Sequence, residues 1–263
     1  MRDLHEGLAT DGCIRTGASR DRVPSAFEQV VVDATSAFDD LRRREAIDTD
    51  AALLLYGSVA TGMAEPGRSD VDLIAIGVEK EHAAALSREL SHAHRSVCRE
   101  VAIAVAGRHD HEGPGDEAYG NRVFLRHYCV PLLGHSPVGD DRFPGDARAA
   151  RGFNGDIRHS LDRWRQAGTA DAAALGRLVG RKTLLATAGL VSVTEGTWST
   201  DRATAAARWR RHRPDLAGEL DQLLAWCDGA AASANDLRDA VADDGVVSRI
   251  AEDFANRIGL WDT

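Results

Sequence analysis

The chain has 263 residues and a formal net charge of −9 at pH 7. This acidic balance argues against a general nucleic-acid binder, because such proteins use a basic surface to displace counterions from phosphates. A small or cationic ligand suits the charge better. The length allows one compact domain and a further domain of about 100 residues.

The N-terminal residues Met1 to Val23 mix acidic, basic and small side chains and contain no apolar run. We therefore expect a flexible segment and no signal peptide, and no later apolar run approaches the length of a membrane span. A cytoplasmic protein is expected. The cysteines form no C-x-x-C pair, which disfavours a zinc site or a disulfide framework. They are Cys13, Cys98, Cys129 and Cys227.

The first half of the chain alternates between helical periodicity and short apolar runs. Apolar residues three or four apart from Phe27 to Leu41 predict an amphipathic helix over 24–46, whose stripe covers one face of a sheet. The elements predicted after it are a strand at 52–56, a loop at 57–69, a strand at 70–77, a helix at 80–95, a strand at 100–106, a helix at 121–128 and an extended segment at 129–134.

The Gly, Pro and Asp residues between Gly134 and Gly145 predict a domain boundary. Beyond it the periodicity is helical throughout, which predicts an all-helical bundle. Its helices are expected at 156–166, 170–193, 201–211, 216–227 and 246–258. The chain is therefore expected to be α+β, with the flexible segment at 1–23, a sheet domain at 24–140 and a helical domain at 141–263.

The residues most informative about function are a Gly-Ser pair and two aspartates at strand ends. Gly57 and Ser58 end the first apolar strand, and Asp70 and Asp72 follow after eleven residues. The strand period of two puts both carboxylates on one face, where Mg²⁺ would relieve their repulsion. Glycine lets the backbone approach a phosphate, and the serine hydroxyl can donate to it. Either half alone is typical of a turn or a solvated strand end; together they favour binding of a nucleoside triphosphate with Mg²⁺.

His109, His111 and Glu112 lie in a stretch that also contains Gly and Pro. Histidine and carboxylate groups can ligate a metal, but the sequence predicts no regular element that would fix their geometry. A polar loop without a metal is the favoured interpretation.

The Gly57-Ser58 and Asp70-x-Asp72 pattern with its apolar tail resembles the signature of the polymerase-beta-type nucleotidyltransferase superfamily. The resemblance implies a mixed sheet with three acidic residues, the third of them on a neighbouring strand. Glu100, just before an apolar run, offers that carboxylate. By resemblance, Asp70 and Asp72 chelate metal, Glu100 chelates metal or acts as base, and two Mg²⁺ ions with ATP as co-substrate are implied.

Two basic residues of the helical half are further nucleotide-binding candidates. Helical spacing puts Lys182 on the same side as Leu178 and Leu185, from where it could reach a triphosphate between the two predicted domains. An ordinary lysine with a buried stem and a solvated charge is an equal alternative. The stretch 195–209 is similar to a loop and helix of aminoglycoside adenylyltransferases, and by position Arg202 resembles their basic residue near the nucleotide.

The resemblance implies Mg²⁺-dependent transfer of AMP from ATP onto a hydroxyl of a small molecule, and streptomycin/spectinomycin-type antibiotics are the most concrete acceptors. Asp156, Asp162 or Glu195 could meet a cationic acceptor. One alternative is nucleotidylation of a protein or tRNA, as in toxin–antitoxin nucleotidyltransferases. Another is a catalytically silent nucleotide-binding regulatory protein. A membrane partner is not expected, a nucleic-acid partner is disfavoured, and the oligomeric state stays open.

Overall fold

The computed structural model describes residues 3–45, 47, 50–107, 109–167 and 171–261. It divides into two compact units, which differ from a single cut at 140/141 because two short segments join the second unit. The first unit comprises Met1–Glu6, Arg15–Gly113 and Asn121–Arg142, and the second comprises Gly7–Ile14, Pro114–Gly120 and Phe143–Thr263.

The N-terminal segment expected to be flexible contains short regular elements. It holds two strands of two residues each, β1 (Gly7–Leu8) and β2 (Ile14–Arg15), and a 3-10 turn at Arg20–Arg22. Ile14 is buried at 2% exposure. The flexibility of this segment stays a prediction, and residues 1 and 2 lie outside the described part of the chain.

The remaining elements up to residue 133 are helices and strands, most of them close to the predicted ones. They are α1 (Glu28–Arg44), β3 (Ala52–Tyr56), α2 (Gly57–Ala60), β4 (Val71–Ile76), α3 (Lys80–Ala93), β5 (Val101–Ala106), α4 (His109–Glu112), α5 (Asp116–His127) and β6 (Val130–Leu133). The predicted end of the first helix at residue 46 lies outside the described residues.

A four-stranded mixed sheet in the order β5-β4-β3-β6 organises the first unit. Strand β3 is antiparallel to both β4 and β6, whereas β4 and β5 are parallel. This arrangement confirms the α+β class and the mixed sheet.

One face of the sheet carries a hydrophobic core against α1 and α3. Leu53 and Leu55 of β3 lie in this core with Val71 and Leu73 of β4. The apolar stripe of α1 from Val30 to Phe38 is buried in the same core, and Leu41 is also buried, as the spacing predicts. Because strand side chains alternate, Asp70 and Asp72 project from the opposite face.

The second unit is built mainly from helices. They are α6 (Ala147–Asn154), α7 (Ile157–Gln166), α8 (Ala172–Glu195), α9 (Arg202–His212), α10 (Ala217–Cys227), α11 (Ala234–Val241) and α12 (Val246–Arg257). The long α8 packs against α6, α9, α10 and α12 and buries most of its second half. The predicted start of this helix at residue 170 lies outside the described residues.

Four short helices and two helix starts differ from the sequence prediction. Helix α1 begins at Glu28 and not at residue 24, because Ser25–Phe27 form a 3-10 turn. Helices α2 and α4 replace parts of predicted loops, and α6 and α11 lie in segments given no element. Each has at most eight residues, too few for a clear apolar period. Helix α5 begins at Asp116, five residues before the predicted start at Asn121. Burial of Ala118 and Tyr119 accounts for this longer helix.

None of the helices in the described residues is both long and apolar enough to cross a bilayer.

Candidate functional site

The candidate site residues of the first unit lie at one edge of the sheet, where β3 ends and β4 and β5 begin. Asp72 is opposite Tyr56 on one side and Ala102 on the other. The same parallel register pairs Val71 with Val101, and the Val71 N–H donates to the Glu100 carbonyl at 2.9 Å. Position 100 therefore neighbours position 70.

Strand alternation gives Asp70, Asp72 and Glu100 the same face of the sheet. Strands β4 and β5 start at Val71 and Val101, one residue later than predicted, so Asp70 and Glu100 immediately precede their strands. Asp70 and Asp72 are partly buried, whereas Glu100 is exposed. The two aspartate side chains are thus partly enclosed by the protein, whereas the glutamate side chain is accessible from solvent.

Gly57 lies against the second aspartate. Its φ of +74° falls in the left-handed region that favours glycine. A Cβ atom at this position would lie 2.5 Å from Oδ2 of Asp72. The first residue of the Gly-Ser pair and the second residue of the Asp-x-Asp pair are therefore neighbours, and glycine is required by both the backbone and the carboxylate.

Ser58 follows in the short helix α2, which turns the chain back on itself. Its carbonyl accepts a hydrogen bond from the Met63 N–H at 2.8 Å. The Thr61 hydroxyl donates to the Gly57 carbonyl at 3.2 Å and lies 3.3 Å from the Ser58 carbonyl. These bonds fix the backbone of the Gly-Ser pair at the end of β3.

The pKa of Tyr56 depends in part on the charge of Asp72. Burial, with a further contribution from the negative charge of Asp72, raises the pKa of the Tyr56 phenol to about 12. The Tyr56 ring also packs edge-on against Phe124 with ring centroids 5.2 Å apart. The phenol therefore stays protonated at neutral pH and does not serve as a base.

Arg99 binds Asp70 through both carboxylate oxygens. Its Nε donates to Oδ1 at 2.9 Å, and its Nη2 donates to Oδ2. The hydrogen bonds to Asp70 and the charges of Asp70, Glu100 and Asp72 raise the pKa of Arg99, so the guanidinium stays charged. Sequence reasoning missed this residue, although its position directly before Glu100 was a usable signal once β4 and β5 were paired in parallel.

The donor set fits Mg²⁺ in its chemistry, since carboxylate oxygens are the ligands that this ion prefers. Asp70, Asp72 and Glu100 share one face of adjoining strand ends. Within the described ranges, however, no three His, Cys, Asp or Glu side chains are grouped closely enough to hold a metal ion. The fit therefore rests on the oxygen donors and their shared face, with Asp70 bound to Arg99.

The histidine-rich stretch lies at the other edge of the sheet. His111 and Glu112 line a pocket of about 500 Å³ with Ile76 at the end of β4 and His135 after β6. His111 is only 5% exposed, and Nη1 of Arg122 donates a hydrogen bond to the His111 carbonyl at 2.5 Å. The stretch contains helix α4 instead of the predicted loop. This pocket is separated from Asp70 and Asp72 by the length of the strands.

Lys182 is engaged within the second unit. Its Nζ lies 2.5 Å from Oδ1 of Asp156 and donates to the Phe153 carbonyl at 3.1 Å. The Lys182 and Asp156 side chains are 23% and 18% exposed. The contacts show a partly buried ion pair, and the nucleotide-binding role of Lys182 stays a prediction.

Lys182→Met should lower the stability of the protein by about 1–2 kcal/mol, because the partly buried Asp156 carboxylate loses its counter-ion. Thermal unfolding measures this loss, and the KM for ATP in the same variant tests the predicted nucleotide contact. The matched control is Lys80→Met, since Lys80 is an exposed residue at the start of α3. An unchanged melting temperature with a raised KM would contradict a purely structural role.

Arg202 is the first residue of α9. Asp201 caps that helix, with its side chain accepting from the Thr204 N–H at 2.7 Å. This cap explains why the helix begins at Arg202. The contact of Arg202 with a nucleotide stays a prediction.

The acidic groups considered for a cationic acceptor have basic neighbours of their own. Glu195 lies 3.0 Å from Arg208 and 3.1 Å from His212, and Asp156 pairs with Lys182. Asp162 lies 4.0 Å from Arg165. Their role in acceptor binding is therefore not favoured by the contacts.

The family model described as the nucleotidyltransferase domain matches residues 36–106. The chain is similar to that family. The match supports a transferase enzyme with nucleotidyl transfer as its general activity. No curated protein matches the chain.

The nucleotidyltransferase match runs from within α1 to the last residue of β5. It thus contains the whole candidate site of the first unit and Arg99. Lys182 and Arg202 lie outside it, so the family match carries no information about these two residues.

Proposed function

We propose that the protein is an Mg²⁺-dependent nucleotidyltransferase that moves a nucleoside monophosphate, AMP from ATP, onto a hydroxyl of a small molecule. The observation that carries this proposal is the shared face of Asp70, Asp72 and Glu100 beside Gly57. Asp70 and Asp72 would supply carboxylate oxygens to a metal-bound triphosphate, and Glu100 lies on the same face of the next strand.

Asp70 and Asp72 would hold the metal ion. When bound, Mg²⁺ supplies positive charge that offsets the phosphates and polarises the reacting phosphorus. The backbone at Gly57 permits close approach of the terminal phosphates, and the Ser58 hydroxyl donates to a phosphate oxygen. Lys182 and Arg202 remain proposed nucleotide ligands, to be tested by the KM for ATP.

Glu100 accepts the proton of the acceptor hydroxyl. The acceptor oxygen forms a bond to the α-phosphorus, the bond between that phosphorus and the bridging oxygen breaks, and pyrophosphate leaves with that oxygen. The exposure of Glu100 suits a group that must meet an incoming acceptor. A second metal ion held with the help of Glu100 is the alternative role for this carboxylate.

Glu100→Gln keeps the side-chain shape and removes the charge. We expect kcat to fall at least about a hundredfold with nucleotide affinity nearly unchanged, in line with the loss of a general base. Steady-state kinetics and nucleotide titration measure the two quantities. Glu65→Gln, in the loop before β4, is the matched control. An equal loss of affinity and rate would contradict the base assignment and identify Glu100 as a metal ligand.

For the acceptor, we infer a small polar alcohol and place aminoglycosides first. The resemblance of 195–209 to aminoglycoside adenylyltransferases and the net charge of −9 support a cationic acceptor. The same acidic charge disfavours tRNA. Nucleotidylation of a protein and silent nucleotide binding are the competing outcomes of the test.

The experiment is a pyrophosphate-release screen with ATP, GTP, CTP and UTP against aminoglycosides, other small alcohols and a cell extract. We expect release with ATP and a small alcohol, and none with an Asp72→Asn variant. Release only with the cell extract, followed by label on a macromolecule, would redirect the proposal to protein or tRNA nucleotidylation. Nucleotide binding without release from any acceptor would overturn the proposed catalysis.

A further inference from the structure

The guanidinium of Arg99 lies against the carboxylate of Asp70, which we propose as a metal ligand. It donates to both oxygens of Asp70, and parallel bonds of this kind combine charge attraction with fixed geometry. Its position follows from the backbone, since the Arg99 N–H donates to the Ser69 carbonyl at 3.1 Å and continues the pairing of β4 with β5. The contact is therefore set by the register of the strands.

Two features make this contact reversible. The Arg99 side chain is 64% exposed, whereas that of Asp70 is 23% exposed. The arginine can therefore turn into water without opening the core, while the aspartate stays where it is. An exposed ion pair is weak enough to exchange for a stronger partner.

A divalent cation at Asp70 would compete with Arg99 for the carboxylate. A metal ligand must direct an oxygen lone pair to the ion, and a guanidinium on the same carboxylate adds repulsion between two cations. Metal binding to Asp70 would therefore weaken the Arg99–Asp70 ion pair, and the ion pair would weaken metal binding.

We propose that Arg99 is a positioning residue that holds Asp70 in the metal-free protein and is displaced when the divalent cation binds. This proposal rests on the proposed metal-dependent function. In the absence of the cation, Arg99 offsets the repulsion among Asp70, Asp72 and Glu100. Because Arg99 must first leave Asp70, the affinity for the divalent cation is lower than it would be without Arg99.

The test is a titration of the full chain with Mn²⁺ alone, followed by electron paramagnetic resonance of the unbound ion. We expect Arg99→Gln to tighten Mn²⁺ binding about fivefold, the upper range for an exposed ion pair. Arg99→Lys keeps the charge but loses the two parallel bonds, so its affinity should be intermediate. A purely structural role for Arg99 would not tighten metal binding.

Arg68→Gln is the matched control, because it removes the same charge two residues from Asp70. Arg68 is 80% exposed and pairs with Glu65 at 2.9 Å, not with Asp70. Its Mn²⁺ affinity should change less than twofold. An equal gain in Arg68→Gln and Arg99→Gln would show a general charge effect and overturn the displacement.

Asp72→Asn separates this proposal from the proposed function. If Asp72→Asn loses Mn²⁺ binding but Arg99→Gln binds as the wild type or more weakly, only the displacement by metal is overturned. If Asp72→Asn binds Mn²⁺ as the wild type does, the metal site itself is wrong, and both proposals fail. Far-ultraviolet circular dichroism confirms that each variant is folded before the titration.

Discussion

Asp72→Asn should reduce nucleotidyl transfer at least about a thousandfold, because the proposed metal ligand loses its negative charge without a change in shape. Asp72 is partly buried on the face of β4 that lies away from the hydrophobic core. Thermal stability should therefore change little. Pyrophosphate release gives the rate, and Mn²⁺ titration shows the accompanying loss of metal affinity.

A second readout follows from the tyrosine beside Asp72. Burial is the larger cause of the raised Tyr56 pKa, and the charge of Asp72 adds to it. Asp72→Asn should therefore lower that pKa from about 12 but leave it above its ordinary value, as measured by phenolate absorbance. Asp140→Asn, an exposed change in the same unit, is the control. Retained turnover in Asp72→Asn would contradict the metal-ligand assignment even if the tyrosine titration shifts.

The sequence was most informative where a local period decides the structure. The alternation Asp70, Val71, Asp72, Leu73 correctly predicted which side chains enter the core, since a strand has two faces and only one can bury valine and leucine. The stripe of α1 was predictable for the same reason with a helical period. The order of Gly57, Ser58 and the aspartates indicates nucleotidyl transfer, which the family match supports as a general activity.

Strand pairing was not available from these local patterns. The Arg99–Asp70 contact depends on β4 and β5 being parallel and in a particular register. The approach of Gly57 to Asp72 depends likewise on the pairing of β3 with β4. Both contacts join residues on different strands, so they require tertiary structure that a period of two does not specify.

Lys182 illustrates a different limit. Its helical position was predicted, but the partner of its charge was not, because Asp156 lies on another element of the second unit. A lysine stem on an apolar face is compatible with a phosphate contact and with a partly buried ion pair. Only the short distance from Lys182 to Asp156 favours the second interpretation.

Gly57→Ala should lower nucleotidyl transfer about a hundredfold, although the substitution adds a single methyl group. Its Cβ would lie 2.5 Å from Oδ2 of Asp72, so the carboxylate must move. Displacement of a catalytic group by about 1 Å can cost about a hundredfold in rate. Because the atom that must move is at the end of the Asp72 side chain, we expect the protein to stay folded while its activity falls.

Gly67→Ala provides the control for backbone strain. Gly57 and Gly67 have nearly equal φ values of +74° and +75°, but a Cβ at Gly67 would meet nothing within 4 Å. Each alanine should therefore cost about 1–2 kcal/mol of stability through left-handed strain. Only Gly57→Ala should also lose activity and Mn²⁺ affinity. Equal activity losses in the two variants would assign the effect to the loop backbone, whereas a fully active Gly57→Ala would show that the position of the Asp72 carboxylate is not critical for transfer.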